Sequence, residues 1–240
     1  MSKLLIKNAD IVLPEEILRS KCVLVKDSLI TEICDSSKDF EAEQVIDADG
    51  KYLCPGLIDL HIHGHESYLI DNGPSDLANI CKLLPKYGVT GFLPTVCPLP
   101  KGRDFDFVSS LAKPSYEGAK IYGFHLEGPF LKITGALPPE AIGSADPERV
   151  DSLVRACYPY KAIFSISPDF ERITELIPLM SENGSPVFIT HTQADVSQTL
   201  KAIEAGACHA THFYDVFYPP DETDPGVRPC GAAEAILADN

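Results

Sequence analysis

The chain has 240 residues, 45% hydrophobic and 23% charged, which is enough for a substantial core in one domain or two. Its formal net charge is −15 with no basic run to offset it, so neither nucleic acid nor an anionic membrane surface is an expected partner. No stretch approaches the ~20 apolar residues of a membrane span, and Met1 to Asp10 lacks the apolar core of a leader; a cytoplasmic protein is expected.

Residues 1 to 54 read as short strands joined by turns. Leu4–Ile6, Ile11–Leu13, Val23–Val25 and Leu29–Ile33 are the apolar pieces, and Asp47-Ala48-Asp49-Gly50 is a turn signal. No helix stands out in this small β unit. After Pro55 strands alternate with amphipathic helices. The first strand carries the His61-Ile62-His63 pair. In the helix after it Leu77, Ile80, Cys81 and Leu84 recur at helical spacing, with Ser75 as the expected cap and Gly88 past the end.

Val89–Thr95 and Lys120–Glu127 are the second and third strands. Asp146-Pro147-Glu148 opens the next helix, a cap followed by proline at the first helical position. Ala162–Ser167 is a fourth strand, followed by a helix through Ile173, Leu176, Ile177 and Met180. Pro186–His191 is a fifth strand, with a helix through Val196, Leu200 and Ile203, and Ala207–Phe213 a sixth. A last helix is expected at Glu234–Asn240.

Repeated βα units predict a parallel sheet flanked by helices, and both a barrel and an open sheet fit that pattern. The histidines favour the barrel. Side chains at i and i+2 of a strand share a face, so His61 and His63 point the same way. Glu127, His191 and His212 sit at or near the ends of later strands, and such ends meet readily at the C-terminal face of a closed ring. The expected fold is therefore α/β, a (β/α)8 TIM-type barrel with about six units present over 55–240, preceded by a small β-sandwich unit over 1–54.

Imidazole and carboxylate without thiolate suit a divalent metal: zinc first, or iron(II), manganese or cobalt. One or two ions can be held, with Glu127 as the bridge. A bound metal acidifies water and polarises a carbonyl, so hydrolysis of an amide-type bond is the reaction served most directly. His125 and His209 are expected to be hydrogen-bonded core residues, and His65 to lie outside the ligand set. The eight cysteines, Cys22, Cys34, Cys54, Cys81, Cys97, Cys157, Cys208 and Cys230, include no Cys-x-x-Cys pair and are expected to be small buried thiols in a reducing compartment, not a disulfide framework.

At these residues the chain resembles a known family. Pro-Gly-Leu-Ile-Asp-Leu-His-Ile-His-Gly (55–64) resembles the first-strand motif of the amidohydrolase superfamily. His125-Leu126-Glu127-Gly128-Pro129-Phe130, His191-Thr192-Gln193-Ala194 and Thr211-His212-Phe213-Tyr214 are similar to segments of its N-acetylglucosamine-6-phosphate deacetylases. The resemblance implies a metal on Glu127, His191 and His212. A second ion would use His61 and His63, with Glu127 shared. The implied reaction is deacetylation of an N-acetylated amino sugar or its 6-phosphate. It also implies substrate contacts at Arg228, where a guanidinium suits an anion, and at Asp215.

Three departures stand out. Asp215 occupies the place of an asparagine that helps hold phosphate in that family. Leu137 replaces a histidine that polarises the acetyl carbonyl. The family's catalytic aspartate falls on strand eight, beyond residue 240, so the chain reads as an N-terminal two-thirds, inactive alone. A cyclic-amide hydrolase, a deaminase and a non-catalytic metal-binding relative are the competing readings. The sequence leaves room for a homodimer.

Overall fold

The computed structural model describes every residue except Met1, Asp39, Pro114, Asn183 and Asn240. The chain divides into two compact units, Met1–Gly56 and Leu57–Asn240.

The first unit is a five-stranded sheet of β1 (Lys3–Val12), β2 (Ile17–Lys26), β3 (Leu29–Asp35), β4 (Gln44–Asp47) and β5 (Tyr52–Leu53). β1 is its centre, antiparallel to β2 and parallel to β4 and β5. The two apolar pieces Leu4–Ile6 and Ile11–Leu13 prove to be one ten-residue strand. The polar residues between them form an irregularity in the ladder, with Asn8 at φ 55°. Asn tolerates that left-handed backbone, and its Nδ2 donates to Asp47 Oδ1 at 2.9 Å. Ala9, Ile11 and Val23 are the small core.

Cys22 and Cys34 correct the expectation of free buried thiols. They face each other in the β2–β3 ladder, Cα atoms 5.3 Å apart, and form a disulfide. A spacing of twelve residues says nothing of this until the hairpin register places the two side by side. Cys54, Cys208 and Cys230 are exposed, and only Cys81 and Cys157 are free and buried.

The second unit begins with β6 (Leu57–Ile62), a small hairpin of β7 (Gly64–His65) and β8 (Tyr68–Leu69), α1 (Pro74–Leu83) and β9 (Val89–Val96). It continues through α2 (Asp104–Leu111), β10 (Lys120–Ile121), β11 (Gly123–Glu127), α3 (Pro147–Ala156), β12 (Lys161–Ile166) and α4 (Ile173–Ser181). β13 (Val187–Ile189), α5 (Val196–Glu204), β14 (Ala207–Ala210) and α6 (Ala232–Ala238) complete it. Every pairing in the main seven-stranded sheet is parallel, and its spatial order β6–β9–β11–β12–β13–β14, with the two-residue β10 also paired to β9, follows chain order. An open doubly wound sheet would reverse direction somewhere along that row. Without a reversal, crossovers of one hand put every helix on the same face. The result is a partial TIM barrel.

The two faces differ as a barrel requires. Phe92, Phe124, Phe164, Val187 and Ile189 point outward into the helix-facing core. Leu93, Ile163 and Phe188, one position out of phase, form a separate interior cluster. His125 and Glu127 share that interior phase on β11.

Local signals explain most helix starts. Asp146 caps α3 by accepting from the N–H groups of Glu148 and Arg149. Asp195 and Gln198 form a reciprocal capping box on α5. Ser75 is not the cap of α1: Gly73 is, at φ 106°, and Pro74 takes the first helical position. α2 escapes the sequence reading because it is short, yet its Asp104 forms a buried ion pair with Arg149 Nε at 2.8 Å. β13 and β14 end earlier than their apolar runs suggest, for a reason that belongs to the site.

Candidate metal centre

Glu127 ends β11 and is 2% exposed. Four imidazoles from three other segments surround its carboxylate. Oε1 lies 2.9 Å from His212 Nε2, 3.1 Å from His191 Nε2 and 3.7 Å from His61 Nε2. Oε2 lies 2.9 Å from His63 Nε2. Two groups of these side chains lie close enough together to hold a metal: His61 and His63 with Glu127, and His191 and His212 with Glu127.

The ligand-bearing strands stop short because the chain leaves the ladder at the histidines. His191 has φ 47° and His212 φ 32°, with Tyr214 and Val216 also left-handed. Such backbone is costly for residues other than glycine, and it turns these side chains away from the strand direction and over the end of the barrel. The following segments are tied down. Thr192 N–H donates to Val216 O at 3.0 Å, and Tyr218 N–H to Thr192 O at 2.9 Å. Asp169 accepts from Thr192 Oγ1 at 2.6 Å and from the Gln193 N–H at 3.2 Å. Gly135, at φ 56°, passes so close that a Cβ there would meet His191 Cε1 at 2.9 Å. Only glycine suits that position.

Hydrogen bonding selects the imidazole tautomers. His191 Nδ1 is 3.1 Å from Ile133 O, and His212 Nδ1 is 3.1 Å from Asp215 O. A carbonyl only accepts, so each Nδ1 carries the proton and donates it. In a neutral ring each Nε2 then presents a lone pair to Glu127, which also only accepts. Lone pairs at 2.9 and 3.1 Å from a carboxylate repel unless a proton or a metal ion lies among them. Burial opposes the charge on Glu127; His191, His212 and His63 outweigh it and hold the carboxyl well below the usual range when they carry a proton on Nε2, a role that a cation takes over where those nitrogens are bare. Burial pushes His61 down to about 3 despite the attraction of Glu127, the other imidazoles adding to the fall. A ring that resists protonation this strongly is a neutral lone-pair donor at neutral pH. The donor set therefore fits a divalent cation: nitrogen and oxygen only, oriented from behind, with a shared carboxylate.

Below this layer lies a buried polar layer. His125 Nδ1 donates to Leu60 O at 2.8 Å and its Nε2 meets Ser165 Oγ, which is 2.8 Å from Thr211 Oγ1. His125 is thus the hydrogen-bonded core residue expected, linking β6, β11 and β12. Burial lowers it to about 4. His209 is not: it is exposed and stacks on Phe188 at 4.8 Å, because β14 ends the sheet among the described residues and nothing there covers its inner face. His65 packs edge-on against Tyr87 and is in neither ligand group.

An open cavity of about 210 Å³ reaches Glu127 and its four histidines, and is walled by Ala136, Leu137, Asp215 and Val216. Asp215 therefore stands at the site, as does Leu137. Arg228 is not among the lining residues; it is exposed, with Nη2 3.8 Å from Glu234 Oε1. The reading from sequence missed Thr95, Asp71 and Cys97, which contact the histidines or their loops. The place of Thr95 and Cys97 at or beside the end of the second strand was the available signal, and only histidines and the glutamate were sought there; Asp71, in the turn Ile70–Asn72, carried no such signal.

No protein-family profile matches the chain. The N-acetylglucosamine-6-phosphate deacetylase of Bacillus subtilis is 30% identical over 234 residues, covering 93% of this chain and 59% of the relative. The N-acetylgalactosamine-6-phosphate deacetylase of Escherichia coli O157:H7 is 26% identical, covering 79% of this chain and 52% of the relative. The chain thus spans roughly half to three-fifths of the length of these relatives. Among solved structures, N-acetyl-D-glucosamine-6-phosphate deacetylase from Mycobacterium smegmatis superposes with a TM-score of 0.83 at 24% identity, covering 100% of this chain and 66% of that one. The D267A mutant of that enzyme, in complex with N-acetyl-D-glucosamine-6-phosphate, gives 0.82 at 25%, covering 100% and 61%. In sequence and fold together, the chain is similar to N-acetylglucosamine-6-phosphate deacetylases over nearly all of its own length.

Proposed function

We propose that this chain forms the metal-binding part of an amidohydrolase that deacetylates an N-acetylated amino sugar, free or as its 6-phosphate. The observation that carries the reading is Glu127, a buried carboxylate ringed by four imidazole nitrogens, two of them proton-free by the tautomer argument. The relatives' names supply the substrate class. Glu127, His191 and His212 would hold one divalent ion, and His61 and His63, sharing Glu127, a second; zinc is our first choice, then iron, manganese or cobalt.

A divalent ion so bound polarises an amide carbonyl and makes water acidic enough to react at neutral pH. The chain's own residues prepare the rest. Glu127 stays ionised and keeps two groups of histidines on one charge. Ile133 O and Asp215 O keep His191 and His212 in the tautomer that presents Nε2. Ala136, Leu137 and Val216 give the cavity an apolar wall of a kind that suits an acetyl methyl. The Asp215 carboxylate at its rim accepts a sugar hydroxyl, and Arg228 would meet a phosphate. Hydrolysis also needs a proton carrier; following the resemblance, we assign it to an aspartate outside these residues. The cytoplasmic placement belongs to the same proposal; no described helix is long and apolar enough to cross a membrane.

The test is metal content and turnover. The chain should retain a divalent ion through gel filtration, and Glu127→Gln should strip most of it. A longer protein including the following sequence should release acetate from N-acetylglucosamine or its 6-phosphate in preference to cleaving ring amides. Unchanged metal in the Gln variant would remove the centre, and a preference for ring amides would remove the deacetylase.

A further inference from the structure

The four imidazoles facing Glu127 are not held alike from behind. His191 and His212 lean on backbone carbonyls, and His61 Nδ1 lies 3.4 Å from Thr95 Oγ1. His63 is the exception, with its Nδ1 3.6 Å from Cys97 Sγ. Cys97 directly follows β9 and is half-buried, and its N–H donates to Asp71 Oδ1 at 3.3 Å. Asp71, Cys97 and His63 each offer a ligand-type atom within 4.8 Å of the others. The segment bearing Asp71 is clipped to the same histidine, since Ile70 N–H donates to His63 O at 2.9 Å.

We propose that Asp71 and Cys97 form a relay that positions His63 for the cation site. A thiol is at once a weak donor and a weak acceptor. The carboxylate of Asp71 is the better acceptor for S–H, so the sulfur is left to accept Nδ1–H from His63. That tautomer leaves the Nε2 lone pair on the side of Glu127 Oε2, 2.9 Å away. The opposite polarity, S–H donated to Nδ1, would place the proton on Nε2 and bar it from a cation. Cys97 is thus a positioning residue: it acts through His63 and touches no reacting atom. The relay rests on the reading of the Glu127 cluster as a metal centre.

The experiment measures zinc affinity by chelator competition on the full chain, with Co(II) absorption as a report on ligand geometry. Cys97→Val removes donor and acceptor at little change in volume, and should weaken zinc at the His61–His63 half by about 10- to 100-fold and alter the Co(II) spectrum. Cys97→Ser keeps both functions and should stay within about threefold of the parent, while Asp71→Ala should fall between. Wild-type affinity in Cys97→Val, with zinc lost in Glu127→Gln, overturns the relay and leaves the centre standing. Serine falling as far as valine also overturns it. Zinc retained by Glu127→Gln overturns the centre and the relay together.

Discussion

The two units solve the burial problem to very different degrees. The N-terminal sheet has Ala9, Ile11 and Val23 as its buried cluster, while Leu29, Ile30, Val45, Ile46 and Tyr52 stand exposed. A single sheet with so little core is marginal by itself, and a cross-strand disulfide supplements it. The barrel unit instead buries Phe92, Phe124, Phe130 and Phe164 completely, between strands and helices. A close-packed layer of that kind can hold left-handed histidines over a strand end, because its rigidity offsets the local strain. The lesson is that the chemistry sits where the core is deepest.

That contrast can be broken in graded steps. The largest effect expected on stability is Asp104→Ala, which leaves the Arg149 guanidinium buried beside Leu99 O without its carboxylate. It should cost about 3–5 kcal/mol in chemical denaturation, confined to the barrel transition. A loss below about 1 kcal/mol would show that the pair is solvated. Next, reducing Cys22–Cys34 should lower the sheet unit's stability by about 3 kcal/mol and leave metal binding intact. An equal shift in both transitions would mean that the units do not melt separately.

Gly135→Ala sharpens the link between strain and site. Its Cβ would press on His191 Cε1 at a positive φ, for about 1–3 kcal/mol, with a matching loss of metal affinity. Full affinity in that variant would show that the loop yields freely. The smallest effect belongs to Ile30→Thr, on an exposed strand position with no neighbour in the buried cluster. It should fall within about 0.5 kcal/mol. A larger loss would mean that this apolar face is covered in solution.

Much of the barrel was readable from residue order because its rules are local. Alternation of βα units, the Asp146-Pro147 cap and the glycine past α1 depend on neighbours within a few positions, and the structure has each of them. Strand ends were harder. The apolar runs through His191 and Phe213 read as continuous strands, and only the left-handed backbone at His191 and His212 ended them. Asn8 misled in the opposite way, looking like a break and proving to be an irregularity within one strand. Ser75 lost the cap to Gly73, since either residue type can fill that role and the hairpin before it chose.

What the sequence determined by itself was the chemistry available: five ligand-type side chains at strand ends, an alternation of strands and helices, and an acidic composition. Those follow from residue identity and from repeats along one dimension. What only the tertiary structure decided was which groups share a point in space. It set Glu127 between four imidazoles, turned two rings by backbone carbonyls, paired Cys22 with Cys34, and put Cys97 and Asp71 behind His63. Most of these contacts join residues dozens of positions apart. They depend on strand register and the curl of the sheet, which no local pattern encodes.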